Sequence, residues 1–135
     1  MNEKSKNKRI CKMLTKDVDF SGKRKFCRSS LILYNIVDGG RKFLFCVDSK
    51  FGDLTDPGGG LGESENFIVG AVRELKEETL NIFDVTNDIE FIKNNSVCIY
   101  DNNSIIIFQE IDTEDLTIFC EKYNDVFSTE SGVFT

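Results

Sequence analysis

Residues 56–82 constrain the fold more than any other part of the chain. They read DPGGGLGESENFIVGAVRELKEETLNI and contain the only proline and half of the ten glycines. Pro57 restricts its own backbone angle, whereas Gly58, Gly59 and Gly60 can adopt conformations that other residues avoid. The sequence therefore predicts a tight, specific turn at this point.

A helix is predicted directly after the turn. Ser64 is the expected N-cap, Glu65 places a negative charge in the first turn, and the helix is predicted to run to about Thr79. At 3.6 residues per turn, one face of this helix is suited to packing against a core. That face comprises Ile68, Ala71, Val72, Leu75 and Thr79.

Three carboxylates, those of Glu74, Glu77 and Glu78, share another face of the same helix. Because they are three and four residues apart, they repel one another by about a few tenths of a kcal/mol per pair. A divalent cation would remove this repulsion, and Mg²⁺ takes oxygen ligands. The pattern indicates either a metal site or a solvated, charged helix face.

The spacing of these residues resembles the Nudix box, G-x5-E-x7-R-E-U-x-E-E-x-G-U, where U is aliphatic. Six of the seven invariant letters are present, beginning at Gly59 and Glu65 and continuing in the run Arg73-Glu74-Leu75-Lys76-Glu77-Glu78. Leu80 replaces the last glycine, and Asn81 occupies the final aliphatic position. We expect the helix to run one residue further, with Asn81 left-handed and Ile82 making the aliphatic contact.

The resemblance implies an α+β fold, a Nudix-type α/β/α sandwich with a mixed β-sheet. It implies a metal-dependent pyrophosphohydrolase that cleaves a diphosphate bond in a nucleoside diphosphate linked to another moiety. Mg²⁺ or Mn²⁺ would bind Glu74, Glu77 and Glu78. The implied catalytic residues are Glu78, Glu74 and Arg73, with Arg73 orienting its neighbours. Gly58, Gly59, Gly60 and Glu65 would form the loop beside the substrate.

The general base and the substrate are left open by the resemblance. Glu78 is the first candidate for the base, and the later alternatives are Glu110, Asp112, Glu114 and Glu130. The substrate classes of the family include nucleoside triphosphates, nucleotide sugars, dinucleotide coenzymes, dinucleoside polyphosphates, diphosphoinositol phosphates and capped RNA. Four aromatic residues are candidates either for stacking on a base or for the core, namely Tyr34, Phe43, Phe45 and Tyr100.

Two other classes of function remain compatible with the sequence. One is a catalytically silent Nudix-like module that binds a nucleotide or RNA, which the Leu80 departure favours. The other is a structural protein in which the glutamates form only a charged surface. Nudix domains usually continue with a further strand and helix, so the chain is a short form, a truncated domain or one completed by another subunit.

The charge distribution is asymmetric. Residues 1–28 carry ten Lys and Arg against three acidic residues, a balance of +7, while the net charge of the chain is −6. We therefore predict a partly flexible basic arm over residues 1–25, followed by a Nudix domain over residues 26–135. The arm either attracts a polyanion such as RNA or is a solvated leader.

Histidine is absent, which excludes His-based triads and His-zinc sites and leaves carboxylates as the abundant acid–base groups. The five cysteines have no C-x-x-C spacing and are read as reduced thiols, most of them in the core, of a cytoplasmic protein. They are Cys11, Cys27, Cys46, Cys98 and Cys120. No apolar run of 18 residues or signal-peptide core is present, so no membrane span or secretion signal is predicted.

The remaining segments predict strands around the helix. Strands are expected over residues 27–36, 41–47, 89–93, 96–100 and 104–110, with a hairpin turn at residues 37–40. A second helix is expected over residues 113–122. The oligomeric state is not indicated by the sequence.

Overall fold

The computed structural model describes residues 11–18, 26–47, 51–112 and 121. This part of the chain combines two α-helices with eight strands, so the fold is of the α+β class with a mixed sheet. The strands are β1 (Cys11–Leu14), β2 (Arg28–Val37), β3 (Gly40–Phe43), β4 (Cys46–Val47), β5 (Leu54–Thr55), β6 (Gly58–Gly60), β7 (Val97–Tyr100) and β8 (Ser104–Glu110). The helices are α1 (Phe67–Glu78) and α2 (Ile89–Asn95).

Strand β2 is the centre of the main sheet, whose order is β1-β7-β8-β2-β3. It pairs parallel with β8 on one side. On its other side it pairs antiparallel with β6 near its start and with β3 near its end. The strands β4 and β5 form a separate two-stranded sheet. Because β6 leads into α1, the sheet holds the start of that helix next to the start of β2.

The core lies between α1 and one face of the main sheet. The apolar helix face predicted from the sequence is buried, with Ile68, Val72 and Leu75 each at most 2% exposed. These side chains pack against alternate residues of β2 and β8, including Leu31 and Ile107. Burying such a side chain contributes about 1.5–3 kcal/mol, so this contact fixes the orientation of α1.

Several predicted elements are confirmed. The hairpin joins β2 to β3, with Asp38 and Gly39 at positive φ as a two-residue turn of this kind requires. Strands β7 and β8 lie where they were expected. The predicted strand over residues 41–47 is divided, because β3 ends at Phe43 and β4 begins at Cys46 in the other sheet. The helix predicted over residues 113–122 lies outside the described residues, apart from Glu121.

The strand predicted over residues 89–93 is wrong, because these residues form α2. Ile89 and Ile92, three residues apart, both lie against the core, as helical spacing allows. The amide side chains of Asn94 and Asn95 donate to the carbonyl oxygens of Glu90 and Phe91, at 3.0 and 2.9 Å. The apolar run was too short to distinguish the two periods.

The start of α1 also differs from the prediction. The N-cap is Asn66, whose Oδ1 accepts hydrogen bonds from the backbone N–H groups of Ile68 and Val69, at 2.8 and 3.4 Å. Ser64 instead lies in the preceding loop with a φ of 64°. Glu65 therefore precedes the helix and is not in its first turn.

The end of α1 is closed by a Schellman motif. The N–H of Asn81 donates to the carbonyl of Lys76 at 2.8 Å, and the N–H of Leu80 donates to that of Glu77 at 3.2 Å. Both Leu80 and Asn81 are left-handed, with φ values of 55° and 65°. The expected extension of the helix is wrong, because α1 ends at Glu78 and Leu80 itself takes the strained conformation.

Residues 11–18, within the segment predicted as an arm, contribute β1, which pairs with β7. Val18 from the same segment is buried in the core. No helix within the described residues is long and apolar enough to cross a membrane.

Candidate functional site

The glycine-rich segment is an extended strand, and the predicted tight turn is confined to Pro57. The N–H of Gly58 donates to the carbonyl of Asp56 at 2.9 Å, which closes a three-residue turn around the proline. None of the three glycines of β6 has a positive φ. They are needed for space: a Cβ on Gly59 would lie 2.6 Å from the carboxyl group of Glu74, and one on Gly58 would overlap Ser30.

Arg73 joins this segment to the helix. Its Nε and Nη2 donate to the two carboxylate oxygens of Glu65, both at 2.9 Å, and Nη2 also donates to the carbonyl of Gly60 at 3.0 Å. Nη1 donates to Glu74 at 2.9 Å and reaches Glu77 at 3.3 Å, the predicted i, i+4 pair. The hydrogen bonds from Arg73 lower the pKa of Glu65 to about 2. The pair therefore stays ionised at neutral pH and holds the loop against the helix.

Glu65 has a second structural contact. Its Oε1 accepts a hydrogen bond from the backbone N–H of Gly62 at 2.9 Å. One carboxylate thus fixes both the loop and the arginine, and does not act as the first-turn helix charge predicted from the sequence.

The three helix carboxylates differ in environment. Glu74 is 8% exposed and lies against Gly59, whereas Glu77 is exposed and faces Arg73. Glu78 is exposed as well, but partial desolvation, followed by the nearby negative charges of Glu74, Glu77 and Asp56, raises the pKa of its carboxyl group. The site therefore concentrates negative charge around Glu78.

Asp56 and Arg28 are site residues that the sequence reasoning missed. Nη1 and Nη2 of Arg28 donate to the two oxygens of Asp56, at 2.6 and 2.8 Å. Burial tends to raise the pKa of Asp56, but the hydrogen bonds and charge of Arg28 outweigh it and the pKa is lowered. The sequence feature that could have indicated Asp56 as a site residue was its position directly before Pro57. Arg28 was counted only as one of the basic residues near the N-terminus.

Cys46 of β4 lies at the same site. Burial raises the pKa of its thiol to about 11, and the charges of Glu78 and Asp56 contribute to this increase. The other two cysteines whose side chains are described are Cys27, which is exposed, and Cys98, which is buried; all three are free thiols. The sequence predicted that most of the cysteines lie in the core. Among these three, only Cys98 is buried there.

The chemistry of the carboxylates fits a hard divalent cation, because Mg²⁺ and Mn²⁺ prefer oxygen donors and Glu74 and Glu78 lie one turn apart on α1. Gly59 leaves the space that a Cβ would take from Glu74, whereas both oxygens of Asp56 already accept hydrogen bonds from Arg28. Within residues 11–18, 26–47 and 51–112, however, no three Cys, Asp or Glu side chains are already arranged to hold a metal ion. Glu74 and Glu77 both turn toward Arg73.

The alternative general bases that the structure describes, Glu110 and Asp112, lie at or just after the end of β8. Glu110 pairs with Tyr34, whereas Ser104 pairs with Arg28, so six residues of β8 separate the two positions. At about 3.3 Å per residue, Glu110 lies roughly 20 Å along the sheet from Arg28. Glu114 and Glu130 lie outside the described residues, and Asp112 is exposed just after β8.

The four aromatic candidates divide into two groups. Tyr100 packs edge-on against Phe26 in the core, with ring centroids 5.8 Å apart. Phe43 contacts Tyr34 and Phe45 at centroid distances of 5.5 and 6.4 Å. Phe43 and Phe45 are 42% and 43% exposed, and Phe45 immediately precedes Cys46. Phe43 also packs edge-on against Phe108, at a centroid distance of 5.9 Å, so its ring belongs to an aromatic cluster on the sheet.

Comparison with known proteins adds no relative to this description. No protein-family model matches the chain, and no match to it is found among curated proteins.

Proposed function

We propose that the protein is a metal-dependent hydrolase of the Nudix type that cleaves a diphosphate bond in a nucleoside diphosphate derivative. The observation that carries this proposal is the close approach of the buried Glu74 to Gly59, beside Arg73, which joins the loop to the helix. A merely solvated helix face would not need a glycine to make room for a buried carboxylate. The box spacing supports the same assignment.

The residues have distinct roles in this proposal. Glu74, Glu77 and Glu78 hold the metal, and Asp56 adds negative charge on the loop side. A bound Mg²⁺ or Mn²⁺ would neutralise phosphate charge and favour attack of water on phosphorus. Arg73 orients Glu74 and Glu77 and does not contact the reacting atoms.

Glu78 is proposed as the group that accepts the proton from the attacking water. The pKa of its carboxyl group is raised by partial desolvation and by the neighbouring negative charges. A carboxylate with a higher pKa is a better proton acceptor at neutral pH. Its place on a rigid helix, one turn after Glu74, keeps it beside the same phosphate.

The α/β/α sandwich also belongs to this proposal. The face of the main sheet opposite α1 carries Ile32, Tyr34 and Phe108, which alternate with the core residues of β2 and β8. We propose that a further layer of the protein covers this face, as an α/β/α sandwich requires.

The test is hydrolysis of a substrate panel with Mg²⁺ or Mn²⁺. The panel comprises nucleoside triphosphates, nucleotide sugars, dinucleotides and capped RNA, and released phosphate-bearing products are measured. Glu78→Gln and Glu74→Gln should each lower turnover by at least about a hundredfold, the range typical of general base and metal ligands. Glu90→Gln is the matched control, because Glu90 is exposed on α2. Normal turnover in both site variants would refute the assignment.

A second candidate is a Nudix-like module that binds a nucleotide or RNA without hydrolysing it. It is favoured by the observation that the carboxylates in the described residues are not already arranged to hold a metal. The same panel separates the two proposals. Tight nucleotide binding without product would support the module, whereas product formed at a normal enzymatic rate would exclude it.

A further inference from the structure

We propose that Arg28, held in place by Asp56, binds a phosphate group of the substrate. This inference rests on the proposed function, because it assigns part of the substrate to a residue outside the box.

Within the part of the chain that the structure describes, the guanidinium of Arg28 has donors that its partner Asp56 does not use. A guanidinium carries five N–H groups, and the contacts with Asp56 use one from Nη1 and one from Nη2. The side chain is 39% exposed, so the remaining N–H groups can meet a ligand. Arg73, by contrast, uses Nε, Nη1 and Nη2 for protein acceptors.

The position of Arg28 places a positive charge at the edge of the carboxylate cluster. Arg28 is the first residue of β2 and pairs with Gly60 of β6. Its pKa is raised first by the hydrogen bond with Asp56 and then by the charges of Asp56, Glu74 and Glu78. The guanidinium is therefore within electrostatic range of the two helix carboxylates that are proposed to hold the metal.

A cation is needed here for reasons of charge. A diphosphate approaching Glu74, Glu78 and Asp56 meets several negative charges, and one divalent ion offsets only part of them. Arg is suited to the remaining task, because its planar donors match phosphate oxygens and stay protonated at all relevant pH values. Asp56 keeps the guanidinium oriented before the ligand arrives, which lowers the entropic cost of binding.

The competing explanation is that the Arg28–Asp56 pair only clamps the loop before β6. The two explanations predict different results for ligand binding. A clamp affects stability alone, whereas a phosphate-binding residue affects affinity for phosphate even when the protein is fully folded.

The experiment is calorimetric titration of the full chain with pyrophosphate in the presence of Mg²⁺. Arg28→Gln should weaken binding by about ten- to a hundredfold, the range expected for the loss of charge-assisted hydrogen bonds. The affinity of Arg28→Lys for pyrophosphate should lie between those of the original protein and Arg28→Gln, because lysine keeps the charge but lacks the planar arrangement of donors. Arg41→Gln is the matched control, since Arg41 is exposed on β3 and pairs with Ile36, far along β2 from Arg28.

A double-mutant cycle tests the role assigned to Asp56 as a positioning residue. In the Asp56→Asn background, Arg28→Gln should cost much less affinity than in the original protein, because the arginine is no longer held. If the full-length protein does not bind pyrophosphate, or if Arg28→Gln lowers the melting temperature but leaves its affinity unchanged, the proposal is overturned.

These outcomes are independent of catalysis. A protein that binds pyrophosphate through Arg28 but hydrolyses nothing on the panel would retain this inference and overturn the proposed hydrolase. A hydrolase whose affinity for pyrophosphate is unchanged by Arg28→Gln would overturn this inference and retain the proposed hydrolase.

Discussion

At the scale of single residues, Gly59 links the loop to the chemistry of the helix. A Cβ at this position would lie 2.6 Å from the carboxyl carbon and both oxygens of Glu74, a distance that requires the carboxylate to move. We expect Gly59→Ala to remain folded and to lose at least about tenfold in turnover, because Glu74 is displaced from the cation site.

Gly60→Ala is the matched control for this change. A Cβ on Gly60 would meet its nearest atom, the carbonyl oxygen of Cys27, at 3.9 Å, which is ordinary contact. Activity assays and thermal melts of both variants check the prediction. Full activity in Gly59→Ala would mean that Glu74 has no part in the reaction.

Leu80 is a second residue at which the backbone conformation affects stability. A left-handed leucine costs about 1–2 kcal/mol, and glycine removes this strain at an entropic cost of about 0.5–1 kcal/mol. Since Leu80 has a φ of 55°, Leu80→Gly should raise the free energy of unfolding by about 0.5–1 kcal/mol. Denaturant titration measures it.

Asn81→Gly provides the comparison for Leu80. Asn81 has a similar φ of 65°, but asparagine tolerates the left-handed region, so its replacement should gain less. A larger gain at Asn81 than at Leu80 would contradict this account of the helix end.

At the scale of elements, the start of α1 depends on Asn66. Its side chain accepts from two N–H groups that would otherwise lack a helical partner. Asn66→Ala should therefore lower the free energy of unfolding by about 1 kcal/mol. Ser64→Ala should have little effect, because Ser64 lies in the loop; a larger loss at Ser64 than at Asn66 would restore the capping residue predicted from the sequence.

The sequence was most informative where one periodicity extended over many residues. The buried face of α1 and the strands β2, β7 and β8 followed from apolar spacing and turn residues. The short segment 89–95 did not, because its short apolar run was read as a strand, although the spacing of Ile89 and Ile92 places both on one face only in a helix. Secondary structure of this length is decided by tertiary contacts.

The candidate site was predictable only in part, for a related reason. Glu74, Glu77 and Glu78 share a helix face by spacing alone, and Arg73 reaches Glu77 within one turn. Arg28 and Asp56 are 28 residues apart and meet only because β6 pairs with the start of β2. Such a contact follows from the register of the sheet, which local patterns do not specify.

At the scale of the whole molecule, metal binding should be visible as a change in stability. The raised pKa of Glu78 means that its ionised form is less favoured in the folded protein than in the unfolded chain. This penalty is present at neutral pH and disappears as the pH falls below the ordinary value of a glutamate. Without metal, Glu78→Gln should therefore melt slightly higher than the original protein at pH 7, and equally at low pH.

With metal, the original protein should melt at a higher temperature than Glu78→Gln. A ligand that binds only the folded state stabilises it by about 2.7 kcal/mol at a concentration one hundred times its Kd. Mg²⁺ should raise the melting temperature of the original protein and of Glu90→Gln alike, but much less that of Glu78→Gln, which has lost a ligand. Equal shifts in all three proteins would place any bound Mg²⁺ away from α1. By contrast, Glu78→Gln melts higher than the original protein without Mg²⁺ and lower with Mg²⁺ only if the cation relieves the repulsion around Glu78.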